Sequence, residues 1–177
     1  RKESSAASDV YKRQGYYGVA GSQTCTKCPV GAYCPGATVG SQDQAIKHTC
    51  PDHSTTPTES STDISDCKCN IGYYSEDGDN CLVCTADWYC TGDETRRQCP
   101  QNASSPAGAS APEHCVCDPE YEGENGATCN ECQDNYYCPG GTTRTACTAN
   151  SVALARSSSA SDCRCIPGYK GSQAHGC

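Results

Sequence analysis

The chain has 177 residues and 19 cysteines, a share of about 11% that marks a disulfide scaffold. Phe and Met are absent, and 7 Val, 4 Ile and 2 Leu are too few for a conventional apolar core. The formal charge of −8 supplies no basic surface for nucleic acid, and no apolar run approaches the roughly 20 residues of a membrane helix.

Residues 1–14 read as foreign to the fold. Residues 4–14, Ser4-Ser5-Ala6-Ala7-Ser8-Asp9-Val10-Tyr11-Lys12-Arg13-Gln14, resemble the forward translation of a transposase-type sequencing adapter. The segment is expected to be an adapter-derived artefact, disordered and without a part in the fold. The remainder then holds 9 basic and 19 acidic residues, a net of −10. A signal peptide upstream of such an insertion would be lost.

Residues 15–27 read as the end of a truncated module. Gly15-Tyr16-Tyr17 repeats as Gly72-Tyr73-Tyr74, and Cys25 stands three before Cys28. Cys25 is therefore expected to be unpaired by truncation, its mate displaced by the adapter.

A repeat follows, with one period from Cys67 onward. Cys67, Cys115 and Cys163 are evenly spaced, and Cys81, Cys129 and Cys177 keep the same interval. Starting at Cys84, the unit is C-x5-C-x8-C-x15-C-x-C-x11-C. Module one (28–81) holds Cys28, Cys34, Cys50, Cys67, Cys69 and Cys81. Module two (84–129) holds Cys84, Cys90, Cys99, Cys115, Cys117 and Cys129. Module three (132–177) holds Cys132, Cys138, Cys147, Cys163, Cys165 and Cys177. The short junctions Leu82-Val83 and Asn130-Glu131 leave little hinge length.

Within a module, the C-x-C side chains share a strand face and should tie different neighbours. The segment beyond them reads as a short hairpin, with Gly72 and Gly168 at a turn followed by Tyr73 and Tyr169. Glu120 takes the glycine position in module two, which leaves that turn open. Tyr33, Tyr89 and Tyr137 precede the second cysteine of each module, with Trp88 and Tyr136 beside two of them. They read as rings covering disulfides, or as a ligand-binding stripe. The Ser/Thr/Ala/Pro-rich arcs 51–66, 100–114 and 148–162 read as loops. Asn102-Ala103-Ser104 is the one N-glycosylation sequon.

The six-cysteine spacing with its C-x-C resembles EGF-like modules, and the C-x-x-C junctions resemble the laminin-type arrangement. Cys28-Pro29-Val30-Gly31-Ala32-Tyr33-Cys34-Pro35-Gly36 and the Cys-x-Cys-x-x-Gly-Tyr string are similar to ephrin-receptor-like and TNF-receptor-like repeats, within the growth-factor-receptor cysteine-rich class. The resemblance covers residues 15–177. It implies a small disulfide-rich fold: tandem modules of short β-hairpins and long loops, an extended rod with little helix. The EGF resemblance implies the order first to third, second to fourth, fifth to sixth. That pairs Cys28 with Cys50, Cys34 with Cys67 and Cys69 with Cys81. It pairs Cys84 with Cys99, Cys90 with Cys115 and Cys117 with Cys129, then Cys132 with Cys147, Cys138 with Cys163 and Cys165 with Cys177. Six cysteines allow 15 connectivities, and a rival joins Cys90 to Cys99.

Other chemistry finds little support. Zinc would suit the C-x-x-C pairs, yet each repeat carries six cysteines, and His48, His53, His114 and His175 share no register. Calcium-binding EGF modules carry an acidic string before the first cysteine; Thr26-Lys27, Leu82-Val83 and Asn130-Glu131 do not supply it, and the acidic stretch 76–80 occurs once. No cofactor, metal ligand or catalytic constellation is expected. The chain reads as a non-catalytic fragment of a glycoprotein ectodomain, secreted or at the cell surface, a spacer or adhesion array meeting an extracellular protein or matrix partner. The alternative is a ligand-binding receptor ectodomain, with specificity in loop 35–49, which is longer than its counterparts 91–98 and 139–146. The look of the repeats is also similar to that of large surface and flagellar-hair proteins of single-celled eukaryotes.

Overall fold

The computed structural model describes residues 14–18, 25–36, 46–78, 80–171 and 176–177. Most of the adapter-like segment and the centre of loop 35–49 lie outside them, as does His175. The chain divides into two compact units: one runs through Leu82 and takes in Thr91–Thr95, the other comprises Val83–Cys90 and Arg96–Cys177.

One local device builds both units. A tight turn begins immediately after each first, third and fifth cysteine, and the residue three past that cysteine has positive φ. These residues are Gly31, His53, Gly72, Asp87, Asn102, Glu120, Asn135, Asn150 and Gly168. All but Glu120 are Gly, Asn, Asp or His, the types that enter the left-handed region most readily. Each turn is closed by one backbone hydrogen bond, such as Trp88 N–H to the Thr85 carbonyl at 3.2 Å and Tyr136 N–H to Gln133 at 3.2 Å.

Every turn launches a short segment that can pair. In the first unit Tyr16–Gly18 pairs with Cys25–Lys27, Ala32–Tyr33 with His48–Thr49, and Ser54–Thr55 with Lys68–Cys69, all antiparallel. In the second, Trp88–Tyr89 pairs with Arg97–Gln98, Ala103–Ser104 with Val116–Cys117, and Tyr121–Glu122 with Asn130–Glu131. Tyr136–Tyr137 with Thr145–Ala146 and Ser151–Val152 with Arg164–Cys165 complete it. Such brief ladders are marginal in water without support. The disulfides supply it.

The bridges run first to second, third to fourth and fifth to sixth. They join Cys28 to Cys34, Cys50 to Cys67, Cys69 to Cys81, Cys84 to Cys90 and Cys99 to Cys115. They also join Cys117 to Cys129, Cys132 to Cys138, Cys147 to Cys163 and Cys165 to Cys177. This corrects six pairs that the EGF resemblance implies: Cys28 with Cys50, Cys34 with Cys67, Cys84 with Cys99, Cys90 with Cys115, Cys132 with Cys147 and Cys138 with Cys163. Cys90 is not joined to Cys99 either. The reason is the turn. Reversal at Asp87 returns the chain on itself, so Cys84 and Cys90 lie 5.9 Å apart at Cα, within bridging range. The ladder between Ala103–Ser104 and Val116–Cys117 brings Cys99 to within 5.5 Å of Cys115 in the same way.

The core is sulfur. Of the buried apolar residues described, thirteen are half-cystines and the others are Ala32, Tyr74, Ala109 and Ala153. The Ser/Thr-rich arcs are more ordered than loops: each holds a short strand and a 3-10 turn, Ile64–Asp66, Pro112–His114 or Ala160–Asp162. Their buried hydroxyls are bonded, which is what allows polar residues inside. Thr56 is fully buried and its Oγ1 accepts the Gly31 N–H at 2.9 Å, while Ser105 donates to the Trp88 carbonyl at 2.9 Å. No described helix is long and apolar enough to cross a membrane.

Candidate functional site

The recurrent surface feature is a cation over an aromatic ring. The guanidinium of Arg96 lies 4.9 Å from the ring centroid of Trp88, and that of Arg144, one repeat further on, lies 4.4 Å from Tyr136. Arg156 lies 5.3 Å from the Tyr121 ring. In module one the partners are imidazoles: His48 stacks on Tyr33 at 5.1 Å, and His53 on Tyr73 at 4.2 Å with 11° between planes. Several of the aromatic residues singled out in the sequence are thus covered by basic or ring side chains. Tyr17 is the one packed on the Cys28, Ala32 and Cys34 cluster.

Modules two and three are keyed together inside the second unit. The Gly141 N–H donates to the Cys117 carbonyl at 2.8 Å, and a Cβ on Gly140 would stand 2.9 Å from that oxygen. Glu120 keeps the same turn as its glycine counterparts, with φ 79°, and its N–H donates to the Cys138 carbonyl at 3.0 Å. Its carboxylate Oε2 accepts from Arg156 Nη2 at 2.8 Å and Nε at 3.1 Å. That bond holds the Arg156 guanidinium above its ordinary pKa. A second bridge joins Arg144 to Glu122 at 3.0 Å. In the first unit, loop Thr91–Thr95 uses the same key: a Cβ on Gly92 would lie 3.1 Å from the Cys69 carbonyl, and Lys68 Nζ bridges Glu94 at 3.1 Å.

The 3-10 turns Ile64–Asp66 and Ala160–Asp162 carry capping boxes built from short polar side chains. Asp162 Oδ2 accepts the Ser158 and Ser159 N–H groups at 3.0 and 2.9 Å. The Ser159 and Ser158 backbone donors hold its carboxyl below the usual aspartate value. Asp63 is lowered by the Ser65 N–H and then by the Ser65 hydroxyl. In module two His114 occupies the matching position, and its Nδ1 accepts the Ser110 N–H at 3.1 Å.

Asn102 sits at the left-handed position of its turn, half-buried, beside an open cleft lined by Asp87, Gln98, Ser104 and Asp118. Cys25 pairs with Gly18 in the strand register. Residues 35–36 and 46–49 flank a segment of loop 35–49 outside the described residues. No group of three or more His, Cys, Asp or Glu placed to hold a metal occurs among the described residues. Sequence reasoning missed the cation–ring stacks and the glycine keys; the recurrence of Arg96 as Arg144 and of Gly92 as Gly140, at the period of the cysteines, was their signal.

No protein-family model matches the chain. It is 41% identical over 70 residues to the mouse sushi, von Willebrand factor type A, EGF and pentraxin domain-containing protein 1, covering 40% of this chain and 2% of that protein. The rat protein of that name gives 40% over 70 residues, with 40% and 2% coverage. Cysteine repeat modular protein A of Toxoplasma gondii is 33% identical over 93 residues, 50% of this chain and 3% of that protein. The chain spans only a few hundredths of the length of these relatives. With its regular cysteine period and a disulfide for every described pair, it is a cysteine-rich tandem-module chain.

Proposed function

We propose that the chain is a stretch of an extracellular repeat ectodomain that acts as a non-catalytic spacer or adhesion array. The observation that carries this reading is the repeated key. Each module is stapled by three local bridges, and the loop after its second cysteine packs a glycine against the fifth-cysteine carbonyl of the module before it, as at Gly92 and Gly140. Repeats that rest chiefly on their neighbours make series elements whose contribution is set by their number. The density of disulfides suits an oxidising compartment. The named EGF and cysteine-repeat content of the relatives supports the same class.

The test is a surface-displayed chain measured for adhesion. Excising residues 84–131, one full repeat, is expected to weaken adhesion, and replacing loop 35–49 by the shorter loop 91–98 is expected to leave it intact. The reverse outcome would establish the ligand-binding receptor reading instead.

A further inference from the structure

The glycosylation sequon acquires a specific geometry from the repeat. Asn102 matches His53, since each lies three past the third cysteine of its module. Tyr121 matches Tyr73, four past the fifth cysteine. The backbones around both pairs are the same. The Asn70 N–H donates to His53 at 2.8 Å and the Asp118 N–H to Asn102 at 2.9 Å, while φ is 61° at His53 and 62° at Asn102. The tyrosine turns also match, with Tyr73 N–H to Asn70 at 3.0 Å and Tyr121 N–H to Asp118 at 3.1 Å. In module one this arrangement puts the imidazole flat on the phenol, 4.2 Å between centroids. By backbone correspondence, position 102 stands to Tyr121 as His53 stands to Tyr73.

We propose that Asn102 carries an N-linked glycan whose first N-acetylglucosamine lies on Tyr121. The inference rests on the extracellular reading above. In the transfer, Asn102 Nδ2 bonds to C1 of an oligosaccharide carried on a lipid diphosphate. The C1–O bond breaks, the diphosphate leaves with its electron pair, and Nδ2 loses one proton. In the folded chain the Ser104 hydroxyl of the sequon donates to Asp118 Oδ1 at 2.6 Å. The sugar's C–H face meets the electron-rich face of a half-buried ring, and its polar edge faces solvent. The Arg156 guanidinium also approaches this ring, at 5.3 Å, and the sugar takes the face that His53 takes on Tyr73. The bulky modification fits because the adjoining cleft is open.

The experiment secretes the full chain from a eukaryotic host. Intact mass is measured before and after peptide-N-glycosidase, with Asn102→Gln as the control. The sugar is then trimmed to one N-acetylglucosamine and its acetyl methyl followed by proton NMR. The expected result is a glycan mass lost on digestion and absent in Asn102→Gln. An upfield-shifted methyl with sugar-to-Tyr121 cross-relaxation is expected in the native chain, retained in Tyr121→Phe and lost in Tyr121→Leu. A secreted, oxidised chain with Asn102 unmodified would overturn the site. A modified chain with an unshifted methyl and no cross-relaxation to Tyr121 would overturn the stacking, whether or not the leucine variant folds. A chain recovered only reduced inside the cell would overturn the extracellular reading and this inference with it.

Discussion

At the scale of single residues, backbone sign decides more than side-chain character. Glycine is required twice over at position 140, where φ is 108° and a Cβ would stand 2.9 Å from the Cys117 carbonyl. At Gly78 φ is 82°, but nothing lies within 4 Å of a Cβ. Gly78→Ala should therefore cost only the left-handed penalty, about 1 kcal/mol. Gly140→Ala should add a backbone collision and cost roughly 2–4 kcal/mol. Denaturant unfolding of the oxidised variants compares them directly, and equal losses would contradict the keyed junction. The acidic caps give a pH signature. Asp162 is held below its ordinary value of 3.8, so its contribution is present above that value and lost as pH falls through the lower folded value. A carboxyl NMR titration should place Asp162 below 3.8, and Asp162→Asn should flatten the acid limb of the stability curve. His114 fills the same position and accepts one backbone N–H at 3.1 Å, where Asp162 Oδ2 accepts two backbone N–H groups and the Ser159 hydroxyl. His114→Asp should stabilise module two at neutral pH by completing the capping-box acceptor, read as a rise in its unfolding midpoint.

At the scale of the element, the cysteine spacing made the repeat period and the hairpin after C-x-C readable, yet the EGF resemblance misassigned six bridges. The missing information was conformational. Asp87, Asn102 and Asn135 look like ordinary polar residues, but in the structure each is the left-handed corner that folds its cysteine back onto the next one. Glu120 was harder still. A glutamate has no intrinsic preference for φ 79°, and its carboxylate partner Arg156 lies far along the chain in the next module. The bridges themselves should differ in worth. The chain-entropy relation gives about 2 kcal/mol for a separation of 6, as at Cys84 and Cys90, and about 3 kcal/mol for a separation of 16, as at Cys99 and Cys115. Paired Cys→Ala variants measured in guanidinium should reproduce that order. Non-reducing peptide maps should yield a Cys84 to Cys90 peptide, and a Cys84 to Cys99 peptide would refute the local pairing outright.

At the scale of the molecule, the question is what remains when sulfur crosslinks are removed. Not one Leu, Ile or Val is among the buried core residues described, whereas Leu154 is 82% and Ile71 68% exposed. Burying a large aliphatic side chain contributes about 1.5–3 kcal/mol, and no Leu, Ile or Val among the described residues is buried to set that against chain entropy. The antiparallel ladders are too short to compensate. Reduction should therefore unfold every described module, and it should do so without a single sharp transition, because each is closed by its own bridges rather than by a shared interior. The check is an amide correlation spectrum recorded during titration with a phosphine reductant. Dispersed signals should vanish module by module as the bridges open. A dispersed spectrum that persisted with every bridge reduced would mean that something other than the half-cystines holds these hairpins together, and the sulfur core described above would be incidental to the fold.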